Sequence, residues 1–268
     1  MNLAPLKHLQ SQTIIITGAS SGIGRQLAFK LANQNANLIL IARNQTKLVE
    51  LTQQCQVLSD GTVDYYSLDI SVAKHVKTTF EDIQNKHKRI EILINAAGFG
   101  DFTQFNQTDY ALWHKMFKVN VLGTMLLTRY AAQMMMEQKL GQIINLGSMG
   151  GKIATPKSAV YSATKAAVIA FSDALRLELR PFNVQVTTIN PGPVETEFFQ
   201  TADHTGQYLK SIGGLKLQPQ QLAEDIIHCI GRPVRELNRP QIMQLAYVGY
   251  QLFPYVGDWL TARFGNQK

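Results

Sequence analysis

Apolar residues along this chain gather into short unbroken runs, and between the runs they recur every three or four positions. Thr13–Thr17, Leu38–Ala42, Ile90–Ile94, Gln142–Leu146 and Gln185–Asn190 are runs of five or six residues rich in Ile, Leu and Val. Runs this short and this β-branched suit strands buried on both faces. After the first run, Ile23, Leu27 and Leu31 take up helical spacing. A more polar helix is expected from Asn44 to about Cys55, and Val63–Leu68 alternates as a half-buried strand does. Asp69 and Ser71 then open another helix, and Trp113, Phe117, Val121 and Met125 trace one long helix. A further helix spans about Ser158 to Leu179. Strands and helices in strict alternation predict an α/β fold, a doubly wound parallel sheet of about seven strands with helices on both faces. No repeat, low-complexity stretch or linker divides the chain, so 1–268 reads as a single domain.

Two stretches break this rhythm. Residues 191–217 carry Gly192, Gly206, Gly213 and Gly214 without a clear period. A long loop directly after a strand predicts a lid over a site. Within it Phe198, Phe199, Tyr208 and Ile212 point weakly to a lipophilic substrate. Further on, Arg235–Leu237 predicts the last strand, and residues 240–268 form a helical extension. Ile242, Met243, Leu245, Ala246, Val248, Gly249, Leu252 and Phe253 make one apolar helix that ends at Pro254, and Trp259, Leu260 and Phe264 begin another.

The chemistry starts where the first strand ends. Residues 17–24 read TGASSGIG. Glycine at Gly18, Gly22 and Gly24 permits a tight turn and brings the backbone N–H groups of Ser20, Ser21 and Ile23 close to a pyrophosphate at a helix N-terminus. With a strand before it and an amphipathic helix after it, this is the context of a Rossmann-like dinucleotide site. A carboxylate at the end of the second strand would suit NAD, but that strand ends Ala42, Arg43, Asn44. A guanidinium there suits a 2′-phosphate, so the expected cofactor is NADP(H), with Lys47 as a second cation. Asp69 and Ile70 follow the third strand, where the adenine edge and ring are expected, although Asp69 also suits a helix start. Asn95, Ala96, Ala97 and Gly98 close the fourth strand with small residues that let the cofactor's ribose approach the backbone.

Tyr161 and Lys165 are four residues apart on one helix, hence on one face, and Ser148 lies just past the fifth strand. Reduction of a carbonyl leaves an alkoxide that must be protonated. Tyr161 supplies a proton source, and an ammonium one turn away should lower its pKa towards neutrality. Ser148 can donate to the same oxygen as charge develops there. Asn120, in mid-helix, stands where asparagine is disfavoured without a purpose. TGASSGIG, NAAG at 95–98, Asn120, Ser148, YSATK at 161–165 and Pro191-Gly192, in this order and spacing, resemble the short-chain dehydrogenase/reductase family. The resemblance runs from about Thr13 to Ile230. It implies that Lys165 also holds the nicotinamide ribose and that Asn120 anchors a water for proton relay. It further implies that Val194 and Thr196, after Pro191 and Gly192, contact the nicotinamide carboxamide.

The resemblance therefore implies an NADPH-dependent reductase of ketones or aldehydes. A 3-oxoacyl thioester is an alternative substrate, but the scattered charge offers no clear basic patch for an acidic carrier. A non-catalytic NADP(H)-binding sensor or scaffold would have been favoured by loss of Tyr161 or Lys165, and both are present. The carboxyl-terminal extension is similar to that of bacterial relatives of the hydroxysteroid dehydrogenase-like branch. That leaves three roles open: packing on its own domain, forming a homodimer or homotetramer, or weak peripheral membrane contact.

The net charge of +7 raises the question of nucleic acid, but no run of five or six basic residues occurs. The densest cluster, Lys86–Arg89, falls at a helix end, where cations complement the dipole, so no nucleic-acid partner is expected. Cys55 and Cys229 form no CxxC pair or Cys/His cluster, which argues against a metal site and for free thiols in a reducing compartment. Met1 to Gln12 holds no apolar core of a signal peptide, so the expected location is cytoplasmic.

Overall fold

In the computed structural model, which describes residues 1–203, 206 and 216–264, seven parallel strands form one sheet in the order β3-β2-β1-β4-β5-β6-β7. The strands are β1 (Thr13–Thr17), β2 (Asn37–Ala42), β3 (Val63–Ser67), β4 (Ile92–Asn95), β5 (Gly141–Leu146), β6 (Val184–Pro191) and β7 (Glu236–Arg239). The helices are α1 (Gly22–Ala32), α2 (Gln45–Leu58), α3 (Ala73–Lys86), α4 (Tyr110–Phe117), α5 (Thr124–Gln138), α6 (Ala159–Leu179), α7 (Phe198–Ala202), α8 (Pro219–His228), α9 (Gln241–Leu252) and α10 (Pro254–Phe264). The expected doubly wound α/β sheet is present.

Strand alternation sends successive side chains to opposite faces, and each face has its own core. Ile14, Ile16, Leu38 and Leu40 pack with Leu27 and Leu31 of α1, Leu48 of α2 and Leu222 of α8. Ile15, Ile39 and Ile41 pack with Phe80 of α3, Leu127 of α5 and Leu179 of α6. Burial on both sides explains why these strands read as continuous apolar runs rather than alternating ones. The outermost strands behave differently. On β3 burial alternates, and every residue of β7 is half-buried.

Strand order reverses between β1 and β4, both of which leave the sheet at the same end. Adjacent chain segments diverge there to opposite faces and open a crevice at the carboxyl ends of the strands. The turns after β1, β4, β5 and β6 all border it.

Several element expectations need correction. The long helix through Trp113 is three pieces: α4, a π-helical turn over Lys118–Gly123, and α5. The extra residue per turn rotates the buried face, so Phe117 is exposed while Met116, Val119 and Asn120 face inward. Asp69 does not open α3, which starts at Ala73. Its carboxylate instead accepts from the Ser71 N–H at 2.9 Å in a local turn. The last strand begins at Glu236, not Arg235. Within the expected lid, α7 is a short helix. Both ends of that segment are tied where Leu217 N–H donates to Pro193 O and Glu195 N–H to Leu217 O. Tyr208, Ile212, Gly213 and Gly214, assigned to the lid, lie outside the described residues.

Candidate active site

The turn that follows β1 is built by glycine. Gly18 and Gly22 have φ of +65° and +50°, where a side chain is strained. A Cβ on Gly24 would stand 2.3 Å from the Gly18 carbonyl oxygen, so α1 can start this close to β1 only without one. Ser21 precedes the helix and makes no side-chain cap to it. The first turn of α1 thus meets the crevice with its N–H groups uncapped by that side chain, an arrangement suited to an anion.

A cleft of about 500 Å³ runs from this turn across the strand ends. Ser21, Gly22, Ile23, Arg43, Ala96 and Gly98 border one end, and Ser148, Tyr161 and Lys165 line its middle. An adjoining hollow of about 180 Å³ is lined by Gly18, Ser20, Asn44, Asp69, Ile70 and Ala97, and Arg43 borders both spaces. Burial alone would raise the Asp69 carboxyl, but hydrogen bonding to Ser71 and the charges of Arg43 and Lys115 hold it below the usual carboxylate range. On the far wall, Pro191, Gly192, Val194 and Thr196 face the cleft, and the Thr196 methyl lies 3.2 Å from where a Gly22 Cβ would be.

Three of the sequence-selected residues also have partners within the protein. The Asn44 side chain accepts from Lys47 N–H at 2.9 Å and so caps α2. The Lys47 ammonium is paired with Glu197 at 2.8 Å. Asn95 is buried, donating to Thr128 Oγ1 at 2.9 Å and Asn145 Oδ1 at 2.8 Å. Asn145 in turn donates to Ser172 Oγ at 2.9 Å, so this chain of amides stitches α5, β4, β5 and α6 together.

Ser148, Tyr161, Lys165 and Asn120 come together from three elements. Ser148 follows β5 and caps a short turn, its Oγ accepting from Gly150 N–H at 3.0 Å. Tyr161 and Lys165 project from the first turns of α6, and the Lys165 ammonium lies 5.9 Å from the Tyr161 ring centre. Lys165 Nζ donates to the Leu146 carbonyl at 2.8 Å. Asn120 holds the loop after β4 by accepting from Phe99 N–H at 3.0 Å and donating to Phe99 O at 2.8 Å. It also donates to Thr164 Oγ1 on α6 at 3.1 Å. Gly98 keeps this junction tight: a Cβ there would lie 3.2 Å from Asn120 Oδ1 and 3.6 Å from Lys165 Nζ.

The pKa expectation for Tyr161 needs correction. Burial pushes the phenol up to about 12, offset only in part by a hydrogen bond with Ser148. Burial also brings the Lys165 ammonium down to about 8. Desolvation is the leading cause of both shifts. Tyr161 is accordingly protonated at neutral pH, and it shares a hydrogen bond with Ser148, so two O–H donors can converge on one oxygen.

The sequence reading missed the apolar half of the cleft: Phe102, Met149, Ile153 and Met243. Phe102, close behind NAAG, carried a signal in its position. Met243 carried none, because it is one of several apolar residues along a helix far from the motifs in sequence.

The family described as short chain dehydrogenase matches residues 12–207. An uncharacterised oxidoreductase of Staphylococcus saprophyticus is 33% identical over 225 residues, covering 84% of this chain and 93% of that one. The crystal structure of a short-chain dehydrogenase from Streptomyces avermitilis matches with a TM-score of 0.80 at 24% identity, covering 94% of this chain and 96% of that one, a likeness of fold. A short-chain dehydrogenase from Sphingobium yanoikuyae, solved in complex with NADPH, matches with a TM-score of 0.79 at 26% identity, over 91% of this chain and 95% of that one. The chain, with its parallel sheet, glycine-lined crevice and Ser148–Tyr161–Lys165 cluster, belongs to the short-chain dehydrogenase/reductase family of oxidoreductases.

Proposed function

We propose that this protein is an NADPH-dependent reductase that interconverts a carbonyl compound and its secondary alcohol, with Tyr161 as the acid/base. The observation that carries the reading is the convergence of Ser148, Tyr161 and Lys165 in the middle of a cleft whose end is an uncapped helix N-terminus beside Arg43. The relative from Sphingobium yanoikuyae with bound NADPH supports the choice of cofactor.

The residues present fit such a dinucleotide. Gly18 and Gly24 let the turn close so tightly that a Cβ at either would clash with backbone, and α1 thereby presents its N-terminus to a pyrophosphate. Arg43, without a carboxylate beside it on the end of β2, suits the 2′-phosphate, and Asp69 and Ile70 border the hollow for the adenine. When bound, the nicotinamide supplies or accepts the hydride. Ser148 Oγ–H and the Tyr161 O–H both donate to the substrate oxygen, and Tyr161 passes its proton to the alkoxide. Lys165, held by Leu146 O, keeps a positive charge beside the phenol once it has given that proton up. Asn120 positions the loop after β4 and α6 against each other.

The test is a paired titration with NADPH and NADH on wild type and Arg43→Ala, followed by turnover of carbonyl compounds. NADPH affinity should fall roughly 10- to 100-fold in the variant, the worth of one or two charge-assisted hydrogen bonds, with NADH little changed. Equal affinity for both nucleotides in the wild type would sink the NADP assignment.

The protein works as a homo-oligomer in this reading. The outer face of α9 and α10 exposes Leu245, Leu252, Phe253 and Trp259, and a Cβ on Gly249 would meet nothing within 4 Å. Arg263 is the one basic residue in the described part of these helices, which suits the surface of a second copy better than an anionic membrane. Among the described residues no helix is long and apolar enough to cross a membrane.

A further inference from the structure

Beyond Tyr161 the cleft changes character. Its apolar described lining includes Phe102, Met149, Ile153, Phe198, Phe199 and Met243, with Thr155, Gln200 and Thr201 as uncharged polar members. The charged residues of its described lining are Arg43, Lys165 and Glu197. Arg43 belongs to the end of β2, the Lys165 ammonium is turned to Leu146 O, and Glu197 is paired with Lys47. No described cation therefore faces the apolar end.

That end is also built to close tolerance around the reacting ring. Phe102 meets Tyr161 edge-on with ring centres 5.7 Å apart, and Phe198 lies 5.6 Å from it. A Cβ on Gly100 would come within 2.8 Å of Phe198 Cζ and 2.9 Å of Tyr161 Cδ2. Bracketed in this way, the phenol is held in one orientation and the space beside it is walled by aromatic faces.

Met243 reaches the same wall from the first turn of α9, well past the 12–207 stretch that carries the family match. It is held there from two sides. A Cβ on Gly192 would stand 2.5 Å from Met243 Sδ, and Gly192 N–H donates to Arg239 O at 2.6 Å just before α9. One turn on, the Tyr247 ring lies 4.6 Å from the Lys152 ammonium, which is buried and paired with Glu236 of β7 at 2.5 Å. Lys152 directly follows the turn that carries Ser148 and Met149, so α9 is fixed to the segment that positions the hydroxyl.

We propose that Met243, with Phe102 and Phe198, selects the substrate, an uncharged carbonyl compound with an aryl or extended alkyl body, and that carbonyl compounds bearing a carboxylate are excluded. The inference rests on the reading of the site as a carbonyl reductase. Its physical basis is that an apolar body gains by leaving water against these side chains, whereas a carboxylate would be desolvated there without a partner. Tyr247 is a positioning residue that acts through α9.

Steady-state kinetics with NADPH on matched pairs test this, each pair a neutral aryl or alkyl ketone and the same skeleton ending in a carboxylate. Wild type should favour the neutral member at least roughly tenfold in kcat/KM. Met243→Ala should raise KM for the neutral member, and Met243→Lys should move the ratio towards the carboxylate. Tyr247→Ala should shift the ratio as Met243→Ala does, by freeing the helix, which a purely structural loss would not do. Wild type that turns over carboxylates as well as neutral ketones, or a ratio that the Met243 variants leave untouched, overturns the proposal and leaves the reductase reading standing. Turnover of neither series by protein that binds NADPH overturns the reductase reading and this proposal with it.

Discussion

A phenol pushed up to about 12 and an ammonium brought down to about 8 set the working range of this site. Tyr161 is protonated throughout neutral pH, the form needed to give a proton to an alkoxide. Lys165 is charged below about 8 and neutral above, so its support for the phenolate is lost as pH rises through that value. Carbonyl reduction should accordingly hold steady at neutral pH and decline above about 8, which a pH–rate profile of kcat would register. Replacing Tyr161 with Phe removes the proposed proton donor while keeping the ring between Phe102 and Phe198, and should lower kcat by about 10²- to 10⁴-fold. Ser148→Ala should cost about 10²- to 10³-fold, as loss of one preorganised donor does. Full activity in either variant would remove that residue from the chemistry.

Among the elements, the tightest demands fall where a helix meets a strand end. Gly24→Ala would place a methyl group against the Gly18 carbonyl, with backbone on both sides and no side chain to yield. It should destabilise the fold by about 1–3 kcal/mol and weaken NADPH binding, measurable by urea unfolding and fluorescence titration. At the far end of the sheet, Gln142 of β5 is fully buried. It donates to Thr187 Oγ1 and Cys229 O, both at 3.1 Å, and accepts from Gly231 N–H at 2.9 Å. Gln142→Leu would strand the Gly231 and Cys229 backbone groups, at a cost of about 1–3 kcal/mol for each. Because this site lies at the strand start, away from the cleft, the urea midpoint should drop while NADPH affinity is kept.

For the molecule as a whole, the carboxyl-terminal helices present two faces with different surroundings. The inner face of α9 holds Met243 and Tyr247 against the catalytic half, and the outer face exposes Leu245 and Leu252. Packing of one face on the same chain leaves the other free for the association between chains proposed above. Leu245→Glu with Leu252→Glu should shift the protein to a smaller species in light scattering coupled to size exclusion. An unchanged mass, or sedimentation of the wild type with anionic vesicles, would count against a second copy as the occupant of this face.

The sequence by itself determined the sheet and the order of its elements, because strands buried on both faces must be apolar throughout, as Ile14–Ile16 and Leu38–Ile41 are. It also determined the glycine turn and the Tyr161–Lys165 pair, whose chemistry depends on spacing along one element. Tertiary structure decided the rest. The π turn at Lys118–Gly123 chose which face of the helix Asn120 occupies, a one-residue change that no local apolar pattern records. Lys47 and Asn95 have partners that their positions did not announce: Lys47 pairs with Glu197, 150 residues away, and Asn95 with Asn145, 50 residues away. Met243 reaches the cleft from a helix held by a partly buried ion pair and a ring. Contacts between distant segments depend on how elements stack, and residue order along any one of them is blind to that.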